Sequence, residues 1–265
     1  MKEIENYIEI NRKLWNAKTP IHVKSDFYEN EIFLKGKSSL KSIETDLMGD
    51  VAGKSILHLQ CHFGQDSISL ARLGAKVTGI DLSDEAIKVA GKMANDLNVD
   101  AKFICCDIYD LPNQLSEEFD IVFTSYGTIG WLPDLDKWAS VVSRFLKKNG
   151  KFVFVEFHPF IWMLDDNFEK FQFSYFNDEA IVEENEGTYT NFDSDIKEKS
   201  VSWNHPLSEV FSNLLNHGLS ITHFAEYDFS PYNCFQNLEK LENDKFRFKH
   251  IPSKIPLLYS ILATK

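Results

Sequence analysis

A polar turn between two apolar runs is the first place in this sequence where chemistry is expected. The turn, residues 60–66, reads Gln-Cys-His-Phe-Gly-Gln-Asp and follows the apolar run 55–59. A second apolar run, residues 75–80, ends at Asp81. A strand, a turn, a helix and a second strand ending at an acidic residue about 20 positions downstream is the layout of a nucleotide-type cofactor site. The sequence therefore predicts that a cofactor binds at this turn.

The turn lacks two of the three glycines that a dinucleotide site uses. Gln60 and His62 stand at the first two glycine positions, and only Gly64 is present. Those glycines let pyrophosphate oxygens approach the backbone amides at the helix N-terminus. S-adenosylmethionine carries no phosphate, so side chains are tolerable in its turn. The turn favours S-adenosylmethionine, and an NAD(P)-dependent oxidoreductase is the less favoured alternative.

Apolar strands that alternate with amphipathic helices surround this turn. Strands are predicted over residues 55–59, 75–80, 101–105, 119–124 and 151–157. Helices are predicted over residues 65–73, 83–97 and 134–146, and Ser83 is the expected N-cap of the second. Strands rich in β-branched and aromatic residues, separated by helices, indicate a parallel sheet covered on both faces. Residues 51–159 are therefore interpreted as an open, doubly wound α/β core.

Two helical segments are expected before the core, over residues 4–15 and 39–48. The first should end near Asn16, because Thr19-Pro20 follows it. Together they form a helical cap, residues 1–50. This cap either covers one edge of the domain or closes over the cofactor as a lid.

After residue 159 the alternation of strands and helices breaks. Residues 160–205 are rich in large aromatic side chains, and residues 171–175 have the period of two that is typical of a strand. We interpret this segment as an antiparallel β insertion that either caps an acceptor opposite Trp131 or packs against the sheet or a second subunit. Residues 206–265 close the chain with a helix over 205–215 and strands over 219–229 and 255–264.

Composition limits the kind of partner. The 265 residues carry a formal net charge of −12, whereas nucleic-acid binding needs clustered lysine and arginine. No apolar run approaches the roughly 18 to 20 residues of a membrane span. The cysteines have neither the spacing of a zinc site nor the density of a disulfide scaffold. We predict a cytoplasmic monomer or homodimer with free thiols, no metal centre, and no nucleic-acid or membrane partner.

Five segments, taken in order, resemble the successive motifs of the class I S-adenosylmethionine-dependent methyltransferases. They are residues 56–64, 77–83, 105–108, 119–127 and 145–152. The variant Leu-Gln-Cys-His-Phe-Gly, residues 59–64, resembles a bacterial branch that acts on small molecules. The resemblance implies one methyltransferase domain over residues 1–265 with a Rossmann-like seven-stranded sheet. Its strand order would be 3-2-1-4-5-7-6, with the last strand antiparallel.

The resemblance also implies roles for individual residues. Asp81 would bind the ribose hydroxyls and Leu82 would lie against the adenine. Asp107 would accept from the adenine amino group, with Cys106 and Ile108 beside it. The methionine portion would meet backbone groups of the turn, and the floor between cofactor and acceptor would follow the fourth strand; these residues are Gln60, Cys61, Gly64, Ser125, Tyr126 and Gly127. The family usually has an aspartate at the position of His58.

Methyl transfer is an in-line displacement at an activated sulfonium, so a base is needed only where the acceptor loses a proton. His158 is the best-placed candidate base, and Tyr126 and His205 are the others. The acceptor is a small molecule whose reacting atom is O, N, S or C, and the product is S-adenosyl-L-homocysteine. Thr124-Ser-Tyr-Gly127 replaces the Asn/Asp-Pro-Pro-Tyr motif, which disfavours methylation of nucleic-acid bases or glutamine. A non-catalytic sensor of S-adenosylmethionine is the alternative from another class.

Overall fold

A computed structural model describes residues 6–251 and 254–265. Its strands are β1 (Ser55–Leu59), β2 (Lys76–Asp81), β3 (Ala101–Cys105), β4 (Phe119–Ser125), β5 (Leu146–Phe157), β6 (Ile181–Glu186), β7 (Lys197–Ser202), β8 (Ser220–Tyr227), β9 (Leu238–Lys240), β10 (Phe246–Phe248) and β11 (Leu258–Thr264). Its α-helices are α1 (Tyr7–Lys24), α2 (Asn30–Leu34), α3 (Ser42–Met48), α4 (Gln65–Arg72), α5 (Asp84–Leu97), α6 (Leu111–Gln114), α7 (Leu135–Phe145) and α8 (Leu207–Asn216).

Seven of these strands form one sheet in the order β3-β2-β1-β4-β5-β11-β8. Strands β1 to β5 pair in parallel, and β11 pairs antiparallel with both β5 and β8. Counted within the sheet alone, this is the predicted order 3-2-1-4-5-7-6 with an antiparallel last strand. The predicted fold class is therefore confirmed. Because the parallel strands end at one edge, that edge gathers the residues that follow β1, β2, β4 and β5.

Apolar side chains cover both faces of the sheet. On one face Trp138 of α7 is fully buried and its ring centroid lies 5.6 Å from that of Phe152 and 5.4 Å from that of Phe154. On the other face Ile56 and Val77 pack with Met48 of α3. A fully buried side chain of this kind contributes roughly 1.5 to 3 kcal/mol to folding. The two buried faces keep the sheet rigid beneath its functional edge.

Helix α1 is longer than the sequence predicts. It was expected to end near Asn16, but it continues through Pro20 to Lys24; Ile4, the expected first helical residue, lies outside the described residues. Proline lacks the N–H that would bond the carbonyl four residues earlier. The helix persists because Thr19 and His22, on the turn around Pro20, are fully buried. Tertiary packing outweighs the missing hydrogen bond.

The insertion after β5 is an antiparallel hairpin, as predicted, but its strands lie elsewhere. Strands β6 and β7 pair from Ile181 opposite Ser202 to Glu186 opposite Lys197. Residues 171–175, predicted as a strand, form only an isolated bridge between Leu164 and Phe171. The strand predicted over residues 171–175 was therefore wrong, because among the described residues no strand pairs with this segment beyond that single bridge.

Side-chain hydrogen bonds explain where α3 begins and how α1 is held. The Ser39 N–H and hydroxyl bond Ser69 Oγ (3.1 Å) and Asp66 Oδ1 (2.5 Å), so α3 begins at Ser42 rather than at Ser39. Asn11 of α1 donates to the Val201 carbonyl (2.8 Å) and accepts from the Val201 N–H (3.0 Å). The N-terminal cap is thus fastened to the insertion.

No helix among the described residues is long and apolar enough to cross a membrane.

Candidate active site

A cavity of about 850 Å³ opens at the edge where β1, β2, β4 and β5 end. Ligand pockets in proteins measure roughly 300 to 1,000 Å³, so this one has room for a cofactor and a small acceptor together. Every residue that the sequence predicted to bind the cofactor lines it: Gln60, Cys61, Gly64, Asp81, Leu82, Cys106, Asp107, Ile108, Ser125 and Tyr126.

The turn after β1 adopts a glycine-like backbone at three positions, although only one is a glycine. Gln60, His62 and Gly64 have φ values of 54°, 51° and 82°. A Cβ at Gly64 would lie 2.7 Å from the Phe103 ring and 2.9 Å from the Ala90 Cβ, so only glycine fits there. The other two positions are held by hydrogen bonds, from Gln60 Nε2 to the Thr128 carbonyl (2.8 Å) and from the His62 N–H to Asp81 Oδ2 (2.7 Å). The turn keeps the one glycine that its packing requires.

Asp81 is the last residue of β2, and its carboxylate contacts the turn that follows β1. It accepts from the N–H groups of His62 (2.7 Å) and Ser83 (2.9 Å). Burial raises the pKa of Asp81 to about 6, so the group is mostly ionised at neutral pH. A carboxylate has about four lone-pair sites, so the backbone hydrogen bonds leave capacity for a ligand. Asp107, after β3, accepts from the Tyr109 N–H (3.0 Å), and burial raises its pKa as well.

The loop after β4 is held by a carboxylate that sequence reasoning missed. Glu156 on β5 is 2% exposed and accepts from the Thr128 N–H and hydroxyl (2.7 and 2.8 Å), the Ile129 N–H (3.2 Å) and the Gly127 N–H. These bonds fix the backbone around Tyr126, where φ is 55°. The signal was present in the sequence, because a lone acid interrupts the apolar run of β5.

A second missed carboxylate, Glu44 of α3, lies behind Tyr126. Glu44 is fully buried, and Tyr126 Oη donates to its Oε2 at 2.6 Å. Burial and the nearby Asp66 carboxylate raise the pKa of Glu44 to about 7. Burial also raises the pKa of Asp66, which accepts from Ser39 Oγ. We call Glu44, Asp66 and Tyr126 the acidic cluster; Asp66 and Tyr126 line the cavity.

A basic cluster, Lys18, His22 and His62, occupies the wall formed by α1 and the turn. His22 Nδ1 and His62 Nε2 lie 2.9 Å apart. Among the described residues, the other ring nitrogens, His22 Nε2 and His62 Nδ1, are buried without a hydrogen-bond partner. Burial, with the positive charge of Lys18 nearby, lowers the pKa of His22 to about 2 and that of His62 to about 3. Both imidazoles are therefore neutral.

Lys18 completes the basic cluster. Its side chain is 7% exposed and lines the cavity, and Nζ lies 5.3 Å from the Trp15 ring centroid. Burial lowers the pKa of Lys18 to about 8, so the ammonium form still prevails at neutral pH. Its position was missed because α1 was expected to end before it.

His158, the favoured base in the sequence prediction, does not line the cavity. Its Nε2 lies 3.0 Å from Glu226 Oε1 on β8, and its Nδ1 accepts from the Phe160 N–H at 3.1 Å. The strand end was placed correctly, but the side chain turns toward β8. His205 is likewise engaged, since Nε2 donates to the Leu132 carbonyl (2.8 Å) and Nδ1 lies 3.0 Å from Glu209. Of the three predicted base candidates, Tyr126 and His205 line the cavity, and the Tyr126 hydroxyl donates to the buried Glu44 carboxylate.

Aromatic side chains from three parts of the chain complete the walls. Trp15 of α1 packs edge-on against Trp131 (5.3 Å between centroids). Tyr28 Oη lies 2.5 Å from Tyr189 Oη in the insertion. Trp162, after β5, packs on Phe157 at 5.9 Å. The cap and the insertion therefore both cover this cavity rather than a distant edge of the sheet.

Comparisons with known proteins agree with this geometry. The sequence model of a family described as a methyltransferase domain matches residues 50–217, and the chain belongs to this family. Ubiquinone biosynthesis O-methyltransferase from Xanthomonas oryzae pv. oryzae is 28% identical over 152 residues, which are 56% of this chain and 58% of that protein. The chain thus spans little more than half the length of this curated relative.

Solved structures share the fold at low identity. An S-adenosylmethionine-dependent methyltransferase from Listeria monocytogenes, itself described as putative, is 20% identical with a TM-score of 0.59, covering 83% of this chain and 95% of that one. Geranyl diphosphate C-methyltransferase from Streptomyces coelicolor A3(2), solved with S-adenosyl-L-homocysteine, is 14% identical with a TM-score of 0.57, covering 100% and 99%. These findings confirm the predicted methyltransferase class and fold.

Proposed function

We propose that this protein transfers a methyl group from S-adenosylmethionine to a small-molecule acceptor, as the small-molecule branch of the family does. The observation that carries the proposal is the convergence of the turn, Asp81, Asp107 and Tyr126 on one cavity, at the ends of four successive strands of the core. Each contributes a different part of a site for a nucleoside with an amino-acid portion. The turn suits a pyrophosphate poorly, because the His62 side chain stands where a dinucleotide site has a glycine and the His62 N–H already donates to Asp81.

The residues of the cavity fit the cofactor by shape and by polarity. Phe103 of β3 and Ala90 of α5 leave no room for a Cβ at Gly64, so the turn packs closely onto these elements where it lines the cavity. The free lone pairs of Asp81 suit a pair of ribose hydroxyls, and Asp107 suits an amino group on adenine. Gln60 lines the cavity, and its Oε1 is buried without a hydrogen-bond partner among the described residues. A ligand with hydrogen-bond donors would satisfy it.

Bound S-adenosylmethionine would supply the activated methyl group, whose carbon the acceptor atom attacks in line. In our proposal Tyr126 and Glu44 handle the acceptor proton. Where the acceptor carries an O–H group, that proton passes to Tyr126 Oη while the phenol proton passes to the Glu44 carboxylate. The charges balance, because the sulfonium charge and the carboxylate charge disappear together. The aromatic walls exclude water and hold the acceptor in line.

Binding measurements test the cofactor assignment before any acceptor is known. We expect S-adenosyl-L-homocysteine to bind in isothermal titration calorimetry and NADH to give no measurable heat. Asp81→Asn should weaken S-adenosyl-L-homocysteine binding roughly tenfold to a hundredfold, since a charge-assisted hydrogen bond contributes about 1.5 to 3 kcal/mol. Asp100→Asn, which changes an exposed carboxylate just before β3, is the matched control. Tight NADH binding without S-adenosyl-L-homocysteine binding would overturn the proposal.

A sensor that binds the cofactor without catalysis is the second candidate, and the buried, hydrogen-bonded Glu44–Tyr126 pair argues against it. Labelled S-adenosylmethionine incubated with a panel of phenols, amines and thiols separates the two. Methyl transfer to any member supports the enzyme, whereas binding with no transfer across the panel favours the sensor. A cytoplasmic location and a monomeric or homodimeric state remain part of the proposal.

A further inference from the structure

Lys18 is a buried cation without a matching anion. Within the described part of the chain, no carboxylate forms an ion pair with it, and its interaction is with the Trp15 ring. Desolvating an ammonium group is costly unless an opposite charge or several acceptors compensate it. A contact with one aromatic face offsets only part of that cost. The free protein therefore holds an unfavourable charge at the wall of the cavity.

The neighbours of Lys18 cannot supply the missing charge. His22 and His62 are neutral or positive at any pH, and their own buried nitrogens are incompletely paired. Either tautomer of the pair leaves one N–H and one lone pair open, because one proton is shared between His22 Nδ1 and His62 Nε2. When His22 donates, the free N–H is His62 Nδ1–H, on the residue that lines the cavity.

We propose that Lys18 and His62 form a carboxylate-binding site, with the Lys18 ammonium as the charge partner and His62 Nδ1–H as a second donor. His62 Nδ1–H is available to a ligand in the tautomer in which His22 Nδ1 donates to His62 Nε2. A carboxylate would pair the buried charge and satisfy an orphaned ring nitrogen at once. Two ligands of the proposed methyltransferase carry this group: the amino-acid portion of the cofactor, or an acidic acceptor.

The course of α1 supports this site independently. Lys18 and His22 precede residue 50, where the match to the methyltransferase family begins, so the family comparison assigns them nothing. They face the turn because α1 continues through Pro20, in spite of the hydrogen bond lost there. The part of α1 that follows Pro20 is the part that places His22 beside His62. The inference rests on the proposed function only for the identity of the ligand.

Calorimetry with paired ligands tests the site. S-Adenosyl-L-homocysteine carries the carboxylate, and 5′-methylthioadenosine shares its nucleoside and thioether but lacks the amino-acid portion. We expect Lys18→Met to weaken S-adenosyl-L-homocysteine binding at least tenfold and 5′-methylthioadenosine binding less than twofold. Lys18→Arg should retain most of the affinity. Lys13→Met, on the exposed side of α1, where Lys13 pairs with Glu198 (2.8 Å), should change neither.

A third ligand separates the two sources of carboxylate. Benzoate is titrated into protein saturated with S-adenosyl-L-homocysteine. Loss of benzoate binding in Lys18→Met with unchanged S-adenosyl-L-homocysteine affinity assigns the site to the acceptor. The melting temperature of the free Lys18→Met protein should rise, since the uncompensated charge is gone, so loss of binding cannot be ascribed to unfolding.

The proposal is overturned if Lys18→Met leaves the affinities for S-adenosyl-L-homocysteine and benzoate unchanged, or if the wild-type protein binds neither. It is also overturned if 5′-methylthioadenosine affinity falls as much as that of S-adenosyl-L-homocysteine, since the loss would not concern the carboxylate. Failure of the proposed function looks different. In that case the wild-type protein binds neither nucleoside, while benzoate binding still depends on Lys18.

Discussion

The acidic and basic clusters of the cavity are both buried and both partly supplied by the N-terminal cap, yet they are completed in different ways. In the acidic cluster every carboxylate has donors from the chain: Tyr126 Oη and the Lys41 N–H on Glu44, and Ser39 Oγ on Asp66. In the basic cluster Lys18 has no anion and two ring nitrogens have no partner among the described residues. The acidic cluster, whose carboxylates are hydrogen-bonded, can hold a proton at a fixed position. The basic cluster, whose polar groups lack partners, would be stabilised more by a bound ligand that pairs with them.

The largest expected effect follows from the acidic cluster. Glu44→Gln keeps one acceptor oxygen, for the Lys41 N–H, and turns an amide N–H toward Tyr126 Oη, so it cannot take up the phenol proton. We expect turnover to fall at least about a hundredfold, the typical contribution of a positioned base, while S-adenosyl-L-homocysteine affinity changes less than twofold. Methyl transfer to the best acceptor of the panel measures the first quantity, and calorimetry the second. Asp46→Asn, an exposed change on the same helix, is the control.

The pH profile sharpens this test. The pKa of Glu44 is raised to about 7, so the wild-type rate should fall as the pH drops below 7, where the carboxylate is already protonated. Tyr126→Phe should lose the same limb of the profile, because it breaks the path to Glu44. A rate in Glu44→Gln equal to wild type, with an unaltered profile, would exclude the pair from the chemistry and leave the acidic cluster with a structural role.

The two clusters also differ in how much the sequence could reveal. Asp81, Asp107 and Tyr126 follow strands, and strand ends are readable from local periodicity. Glu44 is defined by its hydrogen bond with Tyr126, and Lys18 by its position near His62; both neighbours are far along the chain, and no local pattern marks them. Pro20 led to a wrong prediction, because proline disfavours a helix interior and α1 was therefore expected to end before His22. For His158 the sequence predicted its place after β5 correctly. It could not predict that the side chain turns toward Glu226 on β8, which is far along the chain.

A smaller effect is expected on the free energy of unfolding, which should change with pH in opposite directions for the two clusters. The pKa of His22 is about 2 when folded and 6.5 ordinarily, so the unfolded chain binds protons first and stability is lost as pH falls below 6.5. Glu44 has the opposite sign, since its raised pKa lets the folded protein take up a proton between pH 7 and 4.5. Acidification therefore weakens the basic cluster and favours the acidic one.

Urea unfolding at pH 7 and pH 5 measures this difference. His22→Asn should reduce the stability lost between these pH values by about 2 kcal/mol, from 1.36 kcal/mol per pH unit over the 1.5 units below 6.5. Glu44→Gln should increase the loss, since it removes the compensating uptake. His223→Asn, on an exposed histidine of β8, is the control. Equal losses in wild type and His22→Asn would mean that His22 is protonated in the folded protein.

The smallest expected effect concerns the charge of Lys18 itself. Its pKa is about 8 in the free protein, so the ammonium is present below that pH and is lost above it. A bound carboxylate favours the charged form, and S-adenosyl-L-homocysteine affinity should therefore fall as the pH rises from 7.5 to 9, by roughly threefold to tenfold for about one pKa unit. The amino group of the ligand titrates in the same range, and Lys18→Met reports that contribution alone. If the wild-type and Lys18→Met curves are parallel, Lys18 does not interact with the carboxylate of S-adenosyl-L-homocysteine, and the site is left to an acidic acceptor.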